Sequence, residues 1–163
     1  MPAKNKITVP DSVTSIADNA LKAGKATSVY LGKKVKMIGK YAIAGKKITK
    51  VSIAKKNKSI AKQGQCIYEK KSGKLLIAVA KKNVVKIGNK VKLISEDASL
   101  CGSRQLKKLD IGASVKTLQG AWGEFYRAGY VTTTKVYFRS KNPPKLTQNN
   151  DKNYCYLPIF RDV

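Results

Sequence analysis

The sequence lacks the side chains on which most catalytic sites depend. None of its 163 residues is histidine, which removes the commonest general base and excludes Ser-His-Asp and Cys-His nucleophilic pairs. The nine acidic residues are scattered, and Glu96-Asp97 is the only adjacent pair. Chemistry that needs two carboxylates, or a metal held by carboxylates, therefore has no motif to support it.

Glycine-lysine pairs recur along the chain, at Gly32-Lys33 and Gly73-Lys74 among others. None of these pairs stands in the G-x-x-x-x-G-K-[ST] pattern of a phosphate-binding loop. We therefore predict a protein that is not an enzyme, with no cofactor and no metal.

The three cysteines, Cys66, Cys101 and Cys155, are widely spaced and odd in number. No C-x-x-C pair is present, so a zinc site or a thioredoxin-like site is not expected. We predict ordinary buried thiols in a reducing compartment.

The charge is strongly and unevenly positive. Lysine and arginine number 34 against 9 acidic residues, for a net charge of +25. Residues 1–92 hold 23 of the basic and 3 of the acidic residues. A field of this size favours a polyanionic partner, such as an acidic protein surface, nucleic acid or an anionic glycan.

Apolar residues recur at a fixed period, which indicates stacked repeats. A shift of 22 places Val9 on Leu31 and Leu31 on Ile53, and a shift of 24 places Ile87 on Ile111. Each unit begins with an alternating apolar pair, typical of a short strand with one buried face. A single unit cannot bury its own face, so we predict a β-rich solenoid of short strands stacked in one curved sheet.

The residues between the buried pairs should point outward from that sheet and form a stripe. We expect this stripe to contain Thr8, Tyr30, Ser52, Lys86, Asp110 and Tyr137, flanked by Lys50, Lys108, Lys135 and Arg139. A second basic group is predicted in the turns: Lys33, Lys34, Lys36, Lys46, Lys47, Lys55, Lys56 and Lys58. Because lysine acts as a point charge, we expect loose polyanion recognition over sequence reading.

Two segments resemble the BspA-like leucine-rich-repeat family, and the resemblance covers about residues 5 to 160. They are Ile7–Ile16, which reads ITVPDSVTSI, and Val29–Gly39, which reads VYLGKKVKMIG. The family implies an α/β-type leucine-rich-repeat solenoid and a surface or adhesive role. This chain departs from the family where Gly-Lys-Lys and Gly-Asn-Lys replace Pro-Asp-Ser.

We predict one domain over residues 1–163. Repeats of period 22 span 5–53, a hairpin insert spans 54–84, repeats of period 24 and longer span 85–140, and a cap spans 141–163. The insert should pair Cys66–Tyr68 with Leu75–Val79, and Tyr154–Phe160 should form the capping strand. The aromatics of the loop 119–135 are expected to fill the core.

The N-terminal coil has no evident cap, which indicates a fragment of a larger protein, self-association, or docking on a partner.

These features favour a non-enzymatic scaffold that docks on an acidic partner or a larger assembly. A secreted or cell-surface adhesion module and a sequence-nonspecific nucleic-acid binder are the alternatives. No signal peptide and no stretch long enough to span a bilayer is visible in the sequence. We expect the cytoplasm or an intracellular assembly, or the cell surface if an export signal lies upstream of this sequence.

Overall fold

The structure is a computed structural model that describes residues 5–21, 25–103, 106–120, 135–142 and 144–147. Its regular elements in these ranges are all β-strands. Each coil of the solenoid begins with a front strand. The six front strands are β1 (Lys6–Val9), β3 (Ser28–Leu31), β5 (Lys50–Ile53), β9 (Val84–Ile87), β12 (Lys108–Ile111) and β14 (Lys135–Phe138).

The remaining strands form the other sides of the coils and the insert. Short strands follow the front strands as β2 (Ser15–Ile16), β4 (Met37–Ile38), β10 (Leu93–Ile94), β13 (Thr117–Gln119) and β15 (Lys145–Thr147). The insert contributes β6 (Ile60–Gln63), β7 (Cys66–Glu69) and β8 (Leu75–Val79), and β11 (Ser99–Cys101) pairs beside β8.

The front strands pair in parallel with the periods that the sequence predicts. Ile7 lies opposite Val29, and Val29 opposite Val51, so both steps are 22 residues. Val85 lies opposite Leu109, a step of 24, and Leu109 opposite Val136, a step of 27. The leucine-rich-repeat solenoid is therefore confirmed, although the described residues contain no helix of an α/β-type repeat.

The front strands form two three-stranded sheets, β1-β3-β5 and β9-β12-β14, where we expected one continuous curved sheet. The insert separates them, since the step from Ile53 to Ile87 is 34 residues, against 22, 24 or 27 between other neighbouring coils. Its β7 and β8 pair antiparallel, as predicted, and β6 adds a third strand. Strand β8 then rejoins the stack by pairing in parallel with β11.

Side chains from the insert fill the seam between the two front sheets. The Lys62 ammonium donates to the carbonyl oxygen of Val51 at 2.7 Å. The Gln65 amide donates to the carbonyl of Val84 at 2.9 Å, and its oxygen accepts from the Lys86 N–H at 2.8 Å. Backbone groups at the edges of β5 and β9 thus bond to side chains where a neighbouring strand is missing.

The inward residues of the coils form two adjoining cores. One surrounds Leu31, Val51 and Ile77, and the other surrounds Ile94 and Leu109, all at most 2 % exposed. In the first coil Ala20, which we expected to close the coil like Ala42, is exposed. Among the described residues β1 pairs only with β3, so this coil gains less burial than the coils behind it.

Asn57 ties the second coil to the third and is 3 % exposed. Its amide nitrogen donates to the carbonyls of Gly32 and Val35 at 2.9 and 2.8 Å. Its oxygen accepts the N–H groups of Ser59 and Ile60, both at 2.9 Å. Every bonding position of this buried amide is therefore used, which makes a polar group compatible with the core.

Close approach between coils explains a glycine of the repeat. A Cβ added at Gly32 would lie 2.4 Å from the carbonyl oxygen of Pro10 in the preceding coil. Any other residue would push the two turns apart, so glycine is favoured here by packing.

Several predictions fall outside the described residues. They are the capping strand Tyr154–Phe160 and the aromatics Trp122, Phe125, Tyr126 and Tyr130. In the part of the chain that the structure describes, no helix has the length and apolar character needed to cross a membrane.

Candidate binding interface

The outward side chains of the six front strands form what we call the strand face. In its N-terminal half, strand register places Thr8, Tyr30 and Ser52 side by side in one row. The next row holds Lys6, Ser28 and Lys50. These rows follow from the alternation of strand side chains, because residues at i and i+2 share a face.

The C-terminal half of the strand face repeats this arrangement around an acid. Lys86, Asp110 and Tyr137 lie side by side, and the adjacent row contains Lys108 and Lys135. The predicted stripe is therefore brought together as two patches, one on each front sheet, with the seam between them.

The tyrosines of both patches are covered by cations. The Lys6 ammonium lies 5.4 Å from the centre of the Tyr30 ring. The Tyr137 ring has the Lys108 ammonium at 4.3 Å and the Arg139 guanidinium at 5.6 Å. Each contact is a cation–π arrangement, so these rings hold cations over the face.

Arg139 and Asp110 form an ion pair on the C-terminal patch. Two bonds join the guanidinium to the carboxylate, both of 2.6 Å. The bond from Arg139 is the main reason why the pKa of the Asp110 carboxyl lies below its ordinary value. Asp110 is the one acid of the strand face among the described residues, and the charge of Arg139 neutralises it.

Sequence reasoning missed the basic residues that the insert adds at the seam. Lys62 reaches the strand face from β6, and its pKa is lowered by burial first and then by the charges of Lys81 and Lys50. These three cations therefore share one region between the sheets. The only signal in the sequence was the break in the repeat period, which does not reveal where an insert packs.

The predicted turn lysines are spread over different sides of the solenoid. Lys33, Lys34, Lys55 and Lys56 follow front strands and lie at one edge, whereas Lys46 and Lys47 precede β5 and lie at the other. Lys33 also pairs with Asp11 at 3.6 Å. The turn lysines are exposed, and they do not extend the strand face.

Lys36 lies apart from both groups, in a groove beside β4. The groove is also lined by Met37, Lys58, Ser59 and the segment 69–71, and its volume is about 470 Å³. The insert again supplies residues that the sequence did not point to, namely Lys70 and Lys71.

The described residues hold no cluster of three or more Cys, Asp or Glu side chains that could bind a metal ion. Cys66 and Cys101 are buried, as expected of core thiols. Burial raises the pKa of the Cys66 thiol to about 11, so the thiol stays protonated and is a poor nucleophile.

Comparison with protein families gives one finding. The model of the BspA type leucine rich repeat region matches residues 3–126, in six copies. Neither the curated proteins nor the solved structures gave a match. Leucine-rich repeats of this type form a non-enzymatic repeat family, and they suggest a role in protein interaction or as a scaffold. Together with the stacked parallel coils, the match shows that this chain belongs to the BspA-type leucine-rich-repeat family.

Proposed function

We propose that this protein is a non-enzymatic binding module whose strand face docks on an acidic surface of a protein partner or of a larger assembly. The observation that carries the proposal is the cluster of Lys62, Lys50 and Lys81 at the seam. The Lys62 ammonium is held at 2.7 Å from the carbonyl oxygen of Val51, and the charges of Lys81 and Lys50 repel it there. An acidic partner would relieve that repulsion, which gives a direct energetic reason for binding at this place.

The acids of the N-terminal half do not compensate for these cations. Asp11 accepts the Lys33 N–H at 2.8 Å, and Asp18 accepts the Lys40 N–H at 2.7 Å. Glu69 accepts the hydroxyl of Ser72. All three carboxylates therefore bond to turns that lie away from the strand face. The positive field of the strand face is not neutralised by them and can attract an acidic partner.

The residue types favour an acidic protein over nucleic acid. Sequence-specific reading of bases relies on bidentate arginine, and the one arginine of the described residues, Arg139, is held by Asp110, so only nonspecific nucleic-acid binding is left as the alternative to test. Tyr30 and Tyr137 are overlaid by cations and are not open platforms for base stacking.

The proposal is tested with the full chain and fluorescein-labelled poly-L-glutamate, by fluorescence anisotropy at low salt. Lys50→Gln/Lys62→Gln removes two charges from the strand face. Lys92→Gln/Lys116→Gln removes two exposed charges from another side of the solenoid and serves as the matched control. We expect the first variant to weaken binding about tenfold and the control to weaken it by less than about threefold.

Two outcomes would overturn the proposal. Equal losses in the two variants would mean that only net charge matters. Tighter binding of a single-stranded oligo-dT than of poly-L-glutamate, with a steep fall in added salt, would favour the nucleic-acid alternative.

A further inference from the structure

The groove beside β4 lies on a different side of the solenoid from the strand face. It runs between β4 and the turn that joins β7 to β8. Its volume of about 470 Å³ falls within the range of roughly 300–1,000 Å³ that ligand sites occupy.

An interruption of the strand ladder accounts for the groove. Strand β4 pairs only with β2, so the ladder stops after two strands. The N–H groups of Ser59 and Ile60, which stand one repeat after β4, bond to the Asn57 side chain at 2.9 Å. On the far side the Lys70 N–H donates to the carbonyl of Ser59 at 2.9 Å, which fixes the insert as the second wall.

The groove is basic, and its one acid is engaged. Lys36, Lys58 and Lys71 are exposed and have no carboxylate partner among the described residues. The Glu69 carboxylate accepts the hydroxyl of Ser72. Lys70 donates to the carbonyl of Asn57 at 2.7 Å and is therefore a wall residue. Three cations are left to meet an anionic ligand.

An apolar side chain lies among these cations. Met37 is 57 % exposed, the most of any large hydrophobic residue that the structure describes. Methionine is flexible and polarisable, and it adapts to apolar groups of a partner. Cations around an apolar contact suit a peptide in which acidic residues flank a hydrophobic one.

We propose that this groove is a second docking site, which binds a short acidic peptide segment carrying an apolar side chain. The carboxylates contact Lys36, Lys58 and Lys71, and the apolar side chain covers Met37. The site does not depend on the strand face, and either site can function without the other.

The test uses the full chain and a fluorescent pentapeptide with leucine between two pairs of glutamates. Lys36→Gln/Lys71→Gln should weaken binding about tenfold, because two ion contacts to the glutamates are lost. The control Lys46→Gln/Lys47→Gln, which removes two exposed charges at the edge of the solenoid that precedes β5, should change it by less than about twofold. The strand-face variant Lys50→Gln/Lys62→Gln should leave it equally unchanged, which separates this site from the proposed function.

A second comparison tests the apolar contact. Replacing the leucine of the peptide by glycine should weaken binding to the native protein several-fold, and Met37→Ala should abolish that difference. The proposal would be overturned by equal binding of the two peptides, or by equal losses in the groove variant and its control. It would also be overturned if inorganic phosphate displaced the peptide at a concentration where free glutamate has no effect.

Discussion

Arg139 donates two hydrogen bonds to the carboxylate of Asp110 on the neighbouring strand. Its Nε and Nη2 atoms each lie 2.6 Å from one carboxylate oxygen. The same guanidinium lies 5.6 Å from the centre of the Tyr137 ring. Asp110 thereby neutralises one cation of the C-terminal patch. The balance of charge on this patch therefore depends on a single acid, whereas the N-terminal patch has none among the described residues.

Asp110→Asn should strengthen binding of poly-L-glutamate. The change frees Arg139 and removes a negative charge from the strand face, so affinity at low salt should rise about threefold. Because the arginine side of the pair is exposed, the stability of the fold should change little. Fluorescence anisotropy and thermal unfolding measure the two effects.

The matched control is Asp97→Asn, which changes net charge equally but breaks a pair with Lys74 on another side of the coil. Asp97→Asn should raise the affinity for poly-L-glutamate less than Asp110→Asn does. An equal rise in both variants would show that the position of the charge is irrelevant.

Asn57→Ala should destabilise the protein by about 2–4 kcal/mol. The substitution removes the four hydrogen bonds of a buried side chain, among them the short bonds to the carbonyls of Gly32 and Val35. Chemical denaturation measures the change, with exposed Asn142→Ala as the control. A loss below about 1 kcal/mol would mean that Asn57 does not hold the two coils together.

Cys66 should resist alkylation as long as the chain is folded. Its pKa rises from 9.0 in the unfolded chain to about 11 in the fold, because the thiol is buried. At pH 8.5 iodoacetamide should modify Cys66 only after denaturant is added, as peptide mass spectrometry would record. Modification at equal rates with and without denaturant would contradict the burial.

The raised pKa of Cys66 also predicts how the stability of the fold depends on pH. A folded pKa above the unfolded value means that the thiol's contribution is complete below pH 9 and is lost as the pH rises towards 11. Native protein should therefore lose more stability than Cys66→Ala between pH 9 and pH 11.

Much of the fold could be predicted from the spacing of apolar residues. Val29 and Leu31 are buried and Tyr30 faces outward, as alternation requires, and the repeat periods give the strand register. The seam could not be predicted in this way. Its position depends on Gln65 and Lys62, polar residues of the insert whose bonds cross to other coils and leave no periodic signal.

The candidate site was predictable in the same uneven manner. Lys108 and Lys135 lie opposite each other because the register of parallel strands follows from the repeat. The groove could not be predicted from the sequence, because it brings together Lys36 and Lys71, which are 35 positions apart in the chain. Only the way in which the insert folds back against β4 brings them together.

The location of the acidic ligand is the central claim, and NMR titration of this 17.8 kDa chain with poly-L-glutamate tests it most directly. At low salt, the largest amide shift changes should fall on β3, β5 and the seam residues Lys62 and Lys81, and they should shrink as salt is added. Shift changes spread evenly over all exposed lysines, or concentrated around Lys92 and Lys116, would contradict the account.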